Sequence, residues 1–566
     1  MSSCWNGHFK HTNSLQQAKE HNEKSLICQF PQEVYERIFL ECACIPSEGS
    51  EIWGWITVSY VCRSWRIAAL RSRKLWAFVD FSSPTSVKIS LGRAHGVPLL
   101  IRAVVGEHNI WQLKSVLTTA HQINDIHLHS SVHNILPLLE TLARPQSTLT
   151  HLAINVTTHT SSTLLYPRPD FPLSHQEVRL RTVELNAAPL YLIPYRCSSL
   201  VRLSLHNLPS NERRSDLYKL FSSITQLQYL TICDCTITDE FLKTSVLLPC
   251  LRILKVAGSL RQVSDLLELV NLPSSCQLSC SLTLLDDISD NLWRFCQAVS
   301  MHSYTSLQDV PLETLALTYT EISSRFTATY KFNPQFRQSI RICASGRTAN
   351  LASTVFDITI GPGSQLIPDD TIITILTGIW RTLLLTNVRV LSLHNIDIIT
   401  QKTWAYFLPA LLRLQVLDIR GYAPSGLVWT LLLDALFSDM TPPRPLIPRL
   451  DDIYLYGVDC SSGGLMLVPE KETNLHGHLD DSSFLDVLVA ALKHRQQHHL
   501  RPRILTLTEC RNVIEDRLKD INQMGINLVW DIRGNVKEME VAYRDVHPNT
   551  PKDSLRHYNR LKALFA

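Results

Sequence analysis

One short pattern, a large apolar residue, any residue, then another large apolar residue, recurs along most of this chain. It appears as Leu99–Ile101, Ile126–Leu128, Leu152–Ile154, Val183–Leu185, Leu203–Leu205, Leu230–Ile232, Leu254–Val256 and Leu282–Leu284. It continues as Leu315–Leu317, Ile358–Ile360, Leu391–Leu393, Leu417–Ile419, Ile453–Leu455 and Leu505–Leu507. Alternation of this kind predicts strands with one buried face. Helix-like pieces lie between them: Asp216–Ile224, Asp239–Leu248, Val263–Val270, Asp290–Ser300, Thr371–Leu385, Thr403–Leu411, Leu427–Phe437, Phe484–His494 and Val513–Gln523. Many intervals fall at about twenty to thirty residues, and a strand and a helix at that period cannot close a core alone, so each unit must stack on the next. The predicted fold class is therefore α/β, with parallel strands lining one face and helices the other. Several intervals are too long for one unit, and loops over Thr158–His175, Glu321–Asn350, Pro442–Pro448 and Cys460–Ser483 account for them. An ordinary α/β sandwich is the alternative.

Ahead of this array, Phe30 to Phe81 has a different rhythm. Trp53, Trp55, Trp65 and Trp76 fall here, with Phe30, Tyr35, Phe39, Tyr60, Phe78 and Phe81. Pro31 suits a first helical position, and Glu33 and Glu36 favour a helix start. Val34 and Ile38 share one face at i,i+4 spacing, and Tyr35 and Phe39 share an adjacent one. Val58, Val61 and Cys62 lead a second piece, followed by Trp65, Ala68, Ala69, Leu70, Leu75 and Trp76. Two or three short helices, apolar on more than one side, bury too little to stand alone, so something must cover the remainder. The plainer reading is the core of a small helical cap.

The order Phe30-Pro31, Glu33-Val34, Ile38-Phe39, Val58-Ser59-x-Val61-Cys62-Arg63-x-Trp65-Arg66, Leu75-Trp76 resembles the F-box. Phe30 stands where Leu is usual, and the link from Cys42 to Ile56 is longer than in the minimal motif. Trp55, the Val-Cys-Arg-x-Trp-Arg run and Leu75-Trp76 are similar to the large F-box families of mushroom-forming fungi, and the array resembles the irregular leucine-rich repeats that follow F-boxes. In the Asn or Cys ladder of strict repeats, Asn207 and Asn395 fit. The resemblance implies a three-helix module docked on a Skp-type adaptor, which tethers it to a cullin–RING ubiquitin ligase. Carried over by position, the adaptor-facing residues are Pro31, Ile38, Phe39, Val61, Cys62, Trp65, Leu75 and Trp76.

The implied organisation is a disordered segment over 1–27, the helical module over 28–82, the repeat-like array over 83–536 and a tail over 537–566. Apolar content of 45% against 19% charged indicates a globular chain. A net charge of +3 over 566 residues does not indicate a general nucleic-acid role. Arg63, Arg66, Arg71, Arg73 and Lys74 read as a solvated helix face. The polar N-terminus has no signal-peptide core, no apolar run reaches membrane-spanning length, and fifteen cysteines then read as free thiols of the cytoplasm or nucleus.

Catalytic signatures are missing. No G-x-x-x-x-G-K-[ST] loop and no G-x-S-x-G elbow occur, and Gly361-Pro362-Gly363 stands without a partner motif. Cys42-x-Cys44 and Cys233-x-Cys235 are isolated pairs. His127 and His129 alternate with buried positions and so point to solvent, and His494, His498 and His499 read as a solvated helix end. No metal or cofactor is expected, and the chain is expected to be non-catalytic. What remains is a surface: residues that alternate with the buried pairs face outward, among them Ser204, His206, Thr231, Cys233, Lys255, Ser392, His394, Asp418, Arg420, Tyr454, Tyr456, Thr506 and Thr508. His206, Lys255, His394, Asp418, Arg420, Tyr454 and Tyr456 are the candidate contacts for a protein target. The expected function is substrate recognition for a Skp–cullin–F-box ligase. A non-catalytic scaffold that binds an adaptor without directing ubiquitylation is the alternative, and an enzyme with an unrecognised site is a third reading.

Overall fold

Tyr35 and Phe39 lie one helical turn apart, and their burial fixes how the helical stretch folds. The computed structural model of the chain describes residues 30–44, 54–120, 122–142, 148–157, 179–194, 197–209, 212–236, 245–284, 288–306, 311–322, 337–348, 351–362, 369–433, 446–460 and 483–530. Expectations for residues 1–27, the loop over 158–175, residues 461–482 and the tail from 537 fall outside these. The stretch forms α1 (Gln32–Cys44), a 3-10 segment over Gly54–Tyr60, α2 (Arg63–Arg71), α3 (Arg73–Trp76) and α4 (Pro84–Arg93). Pro31 opens α1, its carbonyl accepting from the amides of Val34 and Tyr35 at 3.1 and 3.4 Å. Tyr35 and Phe39 stack at 6.1 Å between ring centroids, and Trp65 meets them at 6.0 and 5.2 Å. With Val58, Ala68, Ala69 and Leu75 they form one small core. Phe78, Val79 and Phe81 are buried beyond it.

The chain divides into two compact units, residues 1–228 with 235–242, and residues 229–234 with 243–566. The first holds the helical module and five parallel strands in sequence order: β1 (Leu99–Val105), β2 (Ile123–Ser131), β3 (His151–Thr157), β4 (Thr182–Asn186) and β5 (Arg202–His206). The module is tied to β1, for the Leu100 amide donates to the Ala77 carbonyl at 2.8 Å and the Val79 amide to the Leu100 carbonyl at 3.3 Å. Helices α5 (Ile110–Thr119), α6 (Val132–Leu142) and α7 (Arg214–Ser223) complete this unit. Ahead of β3, β4 and β5, a third apolar residue three positions before the alternating pair is also buried: Leu149, Leu180 and Leu200. It closes the turn that feeds each strand.

The second unit contains β6 (Tyr229–Cys233), β7 (Val246–Leu247), β8 (Ile253–Ser259), β9 (Val270–Asn271), β10 (Gln277–Leu284), β11 (Leu312–Ile322), β12 (Arg337–Thr348) and β13 (Leu351–Pro362). It continues with β14 (Val390–His394), β15 (Val416–Arg420), β16 (Asp452–Tyr456), β17 (Ile504–Thr508) and β18 (Asn527–Trp530). Helices α8 (Leu260–Leu269), α9 (Ile288–Ser306), α10 (Asp369–Thr382), α11 (Gln401–Phe407), α12 (Ser425–Leu433), α13 (Phe484–Gln497) and α14 (Glu515–Gln523) each pack on the next in chain order. Sequential stacking of helices over a largely parallel sheet is compatible with an α/β solenoid. Ion pairs tie neighbouring helices: Arg294 reaches Asp265 at 2.7 Å and Glu268 at 2.6 Å, and Arg517 reaches Asp486 at 2.6 Å.

Two expectations are corrected here. The order β10-β13-β12-β11-β14 shows that 321–350 is not one polar loop. β12 lies there, antiparallel to both β11 and β13, while β13 pairs parallel with β10 and β11 with β14. Ile340, Ile342 and Ala344 face inward and Arg341 and Cys343 outward, so β12 obeys the alternation rule under a polar composition. Val246–Leu247 is strand, so no helix extends to Leu248.

The strand ends correct a third expectation, the Asn ladder. Ala187, Asn207, Asp234, Asn395, Gly421, Gly457 and Glu509 each follow a strand at positive φ. In most of them the amide bonds the last carbonyl of the next strand, as from Asn395 to Arg420 at 2.8 Å and from Gly421 to Tyr456 at 3.0 Å. Asn207 and Asn395 are therefore left-handed turn residues with exposed side chains, a conformation Asn tolerates. The inward ladder position is one residue later, where Cys235 donates to the Leu205 carbonyl at 3.7 Å and Cys510 to the Leu455 carbonyl at 3.5 Å.

His302 of α9 is buried edge-on against Phe356 at 5.5 Å, its Nε2 3.2 Å from the Cys276 carbonyl. That oxygen only accepts, so Nε2 carries the proton. Burial pushes the ring down to about 4, against a weaker opposing pull from the carbonyl bond. The unfolded chain therefore takes up a proton near pH 6.5 that the folded chain refuses until about pH 4. Stability from this group is full above pH 6.5 and falls as pH drops toward 4, by about 3 kcal/mol in all. Urea unfolding of His302→Leu against the parent across that window checks it: the variant is expected to lose this part of the slope.

Candidate interaction surfaces

On α1 the two i,i+4 pairs divide. Tyr35 and Phe39 face the core, while Val34 and Ile38 stay 38% and 37% exposed. Val61 at the end of the 3-10 segment is 62% exposed, and Ile67 and Leu70 on α2 remain open, one turn apart. An uncovered apolar set on a small helical unit marks a contact surface.

The residues predicted to face an adaptor fall into three groups. Pro31, Ile38 and Val61 are exposed. Cys62, Trp65 and Trp76 are half-buried: Cys62 accepts from the Trp65 amide at 3.5 Å as the cap of α2, and the Arg93 guanidinium lies 4.3 Å over the Trp76 ring. Phe39 and Leu75 are fully buried. These two support the surface from beneath and do not belong to it, which corrects the sequence assignment. Val34, Ile67 and Leu70 are the surface residues it missed, and the helical periodicity of α2 was the signal for the last two. The basic residues Arg63, Arg66, Arg71, Arg73 and Lys74 are all exposed around it.

The second surface is the outward side of the strands. In the second unit, strand register aligns Ser392, Asp418, Tyr454 and Thr506 in one row and His394, Arg420, Tyr456 and Thr508 in the next. Further along, Lys255 aligns with Ser279 and Asp357, and Arg341 grips Asp357 through bonds of 2.8 and 2.9 Å. The two aligned rows are polar and mostly withdrawn from solvent, Tyr456 excepted. Ser392, Thr506 and Thr508 are buried, and Asp418 is only 8% exposed. Asp418 is held by Arg420 at 2.8 Å and Ser392 at 3.4 Å. Burial drives the Tyr454 hydroxyl up to about 12, helped by the charges of Asp452 and Asp418, so it stays a donor at neutral pH. Burial, then the Arg420 charge, pulls His394 below its usual value against the counter-pull of Asp418, leaving a neutral ring.

Of the candidate target contacts, Lys255 and Tyr456 are exposed, His394, Arg420 and Tyr454 are half-buried, and Asp418 is buried. Asp418 is thus a positioning group for Arg420 rather than a contact. His206 is half-buried in the first unit, aligned with Asn186. There Asn207 Nδ2 donates to Asn186 and Asn186 Nδ2 to Asn155, at 2.9 and 2.8 Å, making an exposed amide ladder. His127 and His129 are exposed, with His127 Nε2 2.8 Å from Asp125.

Among the described residues no three His, Cys, Asp or Glu side chains converge as a metal ion requires, and no helix is long and apolar enough to cross a membrane. No protein-family model matches the chain, and no curated protein matches it.

Proposed function

We propose that this chain is the substrate-recognition subunit of a Skp–cullin–F-box ubiquitin ligase. The helical module docks on a Skp-type adaptor, and the strand-and-helix array, resembling irregular leucine-rich repeats, holds the protein target. The observation that carries this reading is the split of α1, with Tyr35 and Phe39 locked in the core while Val34 and Ile38 stay open, as do Val61, Ile67 and Leu70 of the same module. The order of motif residues that resembles the F-box supports it. So does the anchorage of the module on β1, which fixes any docked partner to the first unit.

In this reading the chain performs no bond chemistry. It raises the local concentration of target lysines near a ubiquitin-charged carrier, an effect set by tethering rather than by a catalytic side chain. Reconstitution with adaptor, cullin and RING subunits tests it. The receptor reading expects adaptor-dependent recruitment of the cullin and ubiquitylation of a protein held by the array. A scaffold would bind the adaptor and stop there.

A further inference from the structure

At the strand-start rim of the second unit, arginines gather without carboxylate partners. Backbone bonds run along this rim: the Gln415 amide donates to Arg389 at 2.8 Å, Asp451 to Gln415 at 2.8 Å, Arg503 to Asp451 at 2.6 Å and Asn527 to Arg503 at 2.9 Å. Arg389 and Arg503 thus lie on one line, three strand spacings or about 14 Å apart. One step outward, Arg413 and Arg449 occupy the same place in successive turns, directly ahead of buried Leu414 and Leu450. Arg501 stands ahead of Pro502, its Nη1 bonded to the Met524 carbonyl at 2.6 Å.

Arg389, Arg413, Arg449 and Arg503 are exposed, and none makes an ion pair or side-chain hydrogen bond among the described residues. The Glu313 and Asp451 carbonyls accept from the Arg389 and Arg503 amides at 2.8 and 2.6 Å, and Asp452 stands on the same rim, but none of these carboxylates pairs with the four guanidiniums among the described residues. The fold does not require arginine there. In the earlier turns of the same unit the places equivalent to Arg413 and Arg449 hold Cys250 and Ser275, ahead of buried Leu251 and Cys276, and the places equivalent to Arg389 and Arg503 hold Arg252 and Gln277. Exposed guanidiniums along one rim set up a positive field that an anion can meet. Every cation of the cluster is an arginine, whose planar fork matches carboxylate or phosphate oxygens in pairs.

We propose that this rim, from β14 to β17, binds an extended acidic segment of the protein target. The inference rests on the reading of the array as the target-holding half. The spacing fits: alternate side chains of an extended peptide repeat about every 6.7 Å, so three acidic groups at i, i+2 and i+4 span about 13 Å. A nucleic-acid strand is a poorer match, because such sites run along a longer basic groove with stacked aromatic rings. The anionic groups are carboxylates or phosphates.

The test uses the full chain and four fluorescent probes: a ten-residue alternating Glu–Ser peptide, its phosphoserine form, a Gln–Ser control and a ten-nucleotide single-stranded RNA. Both acidic peptides are expected to bind saturably, more weakly as salt rises, and the Gln–Ser control is not. Tighter binding of the phosphoserine form would assign the anion as phosphate, and equal binding as carboxylate. The variant Arg389→Gln/Arg413→Gln/Arg449→Gln/Arg503→Gln is expected to lose at least about tenfold in affinity, with its unfolding midpoint unchanged. Absence of saturable acidic binding, equal binding by the variant, or RNA bound more tightly than both peptides would each overturn the assignment. Adaptor binding by the same sample is read separately. Its absence beside intact peptide binding would sink the receptor reading and leave the rim standing.

Discussion

Ile38→Glu combined with Val61→Glu is expected to abolish co-purification with a Skp-type adaptor, with binding at least about a hundredfold weaker and the fold intact. Both side chains are exposed, so charging them costs the free chain little. In a complex each carboxylate would be buried against an apolar partner face, and an unpaired buried charge costs several kcal/mol. Trp65→Ala with Leu75→Ala, the pair that the motif order suggests, is a poorer probe. Leu75 is fully buried and Trp65 packs on Tyr35 and Phe39, so that pair also removes the core. Leu75→Ala alone is expected to cost about 2–5 kcal/mol. Pull-down with circular dichroism separates the cases: loss of binding with native ellipticity for the charged pair, loss of both for the truncations.

Gly426→Ala is expected to destabilise the second unit by about 3 kcal/mol. Gly426 lies in α12, whose sequence SGLVWTLLL is buried on nearly every side between α11 and α13. A Cβ there would stand 2.5 Å from the Ile399 carbonyl and 3.0 Å from the Gln401 amide. Those are backbone atoms at the start of the preceding helix, and they cannot swing aside as a side chain would. Gly421 presents the contrasting case: its added Cβ would clash with the Asn395 side chain, which can swing aside, and meet the Asn395 backbone only at an ordinary 3.8 Å, so its φ of 81° accounts for a smaller loss. Urea unfolding of both variants checks the order, with Gly426→Ala expected to lose more than Gly421→Ala.

How far the sequence carried the fold is clearest at particular residues. Each alternating apolar pair lies in a strand, because inward burial of residues such as Leu203 and Leu205 demands that spacing whatever the loops do. The helices α4, α5 and α6 escaped it. α6 carries Pro137 in its interior, and α5 ends in threonines whose hydroxyls bond back to the chain, so neither has a plain helical signature. β12 hid behind Arg337, Arg341 and Arg347, and β18 behind its brevity. At the candidate site, i,i+4 spacing identified both faces of α1 without saying which one closes, since Val34 and Tyr35 differ by a single 100° step. Only packing against Trp65 decides that. On the array, alternation placed Asp418 and Ser392 on the outward side, but crowding between neighbouring strands, which no single strand encodes, took them out of solvent.

Whether the open apolar residues of the helical module form a docking face decides the proposed function. Titration calorimetry of the full chain with a purified Skp-type adaptor measures this without any target or ligase. The predicted outcome is a one-to-one complex of submicromolar affinity, with a negative heat-capacity change from burial of Val34, Ile38, Val61, Ile67 and Leu70. No heat and no co-elution at tens of micromolar would contradict it, and these open residues would then need another explanation.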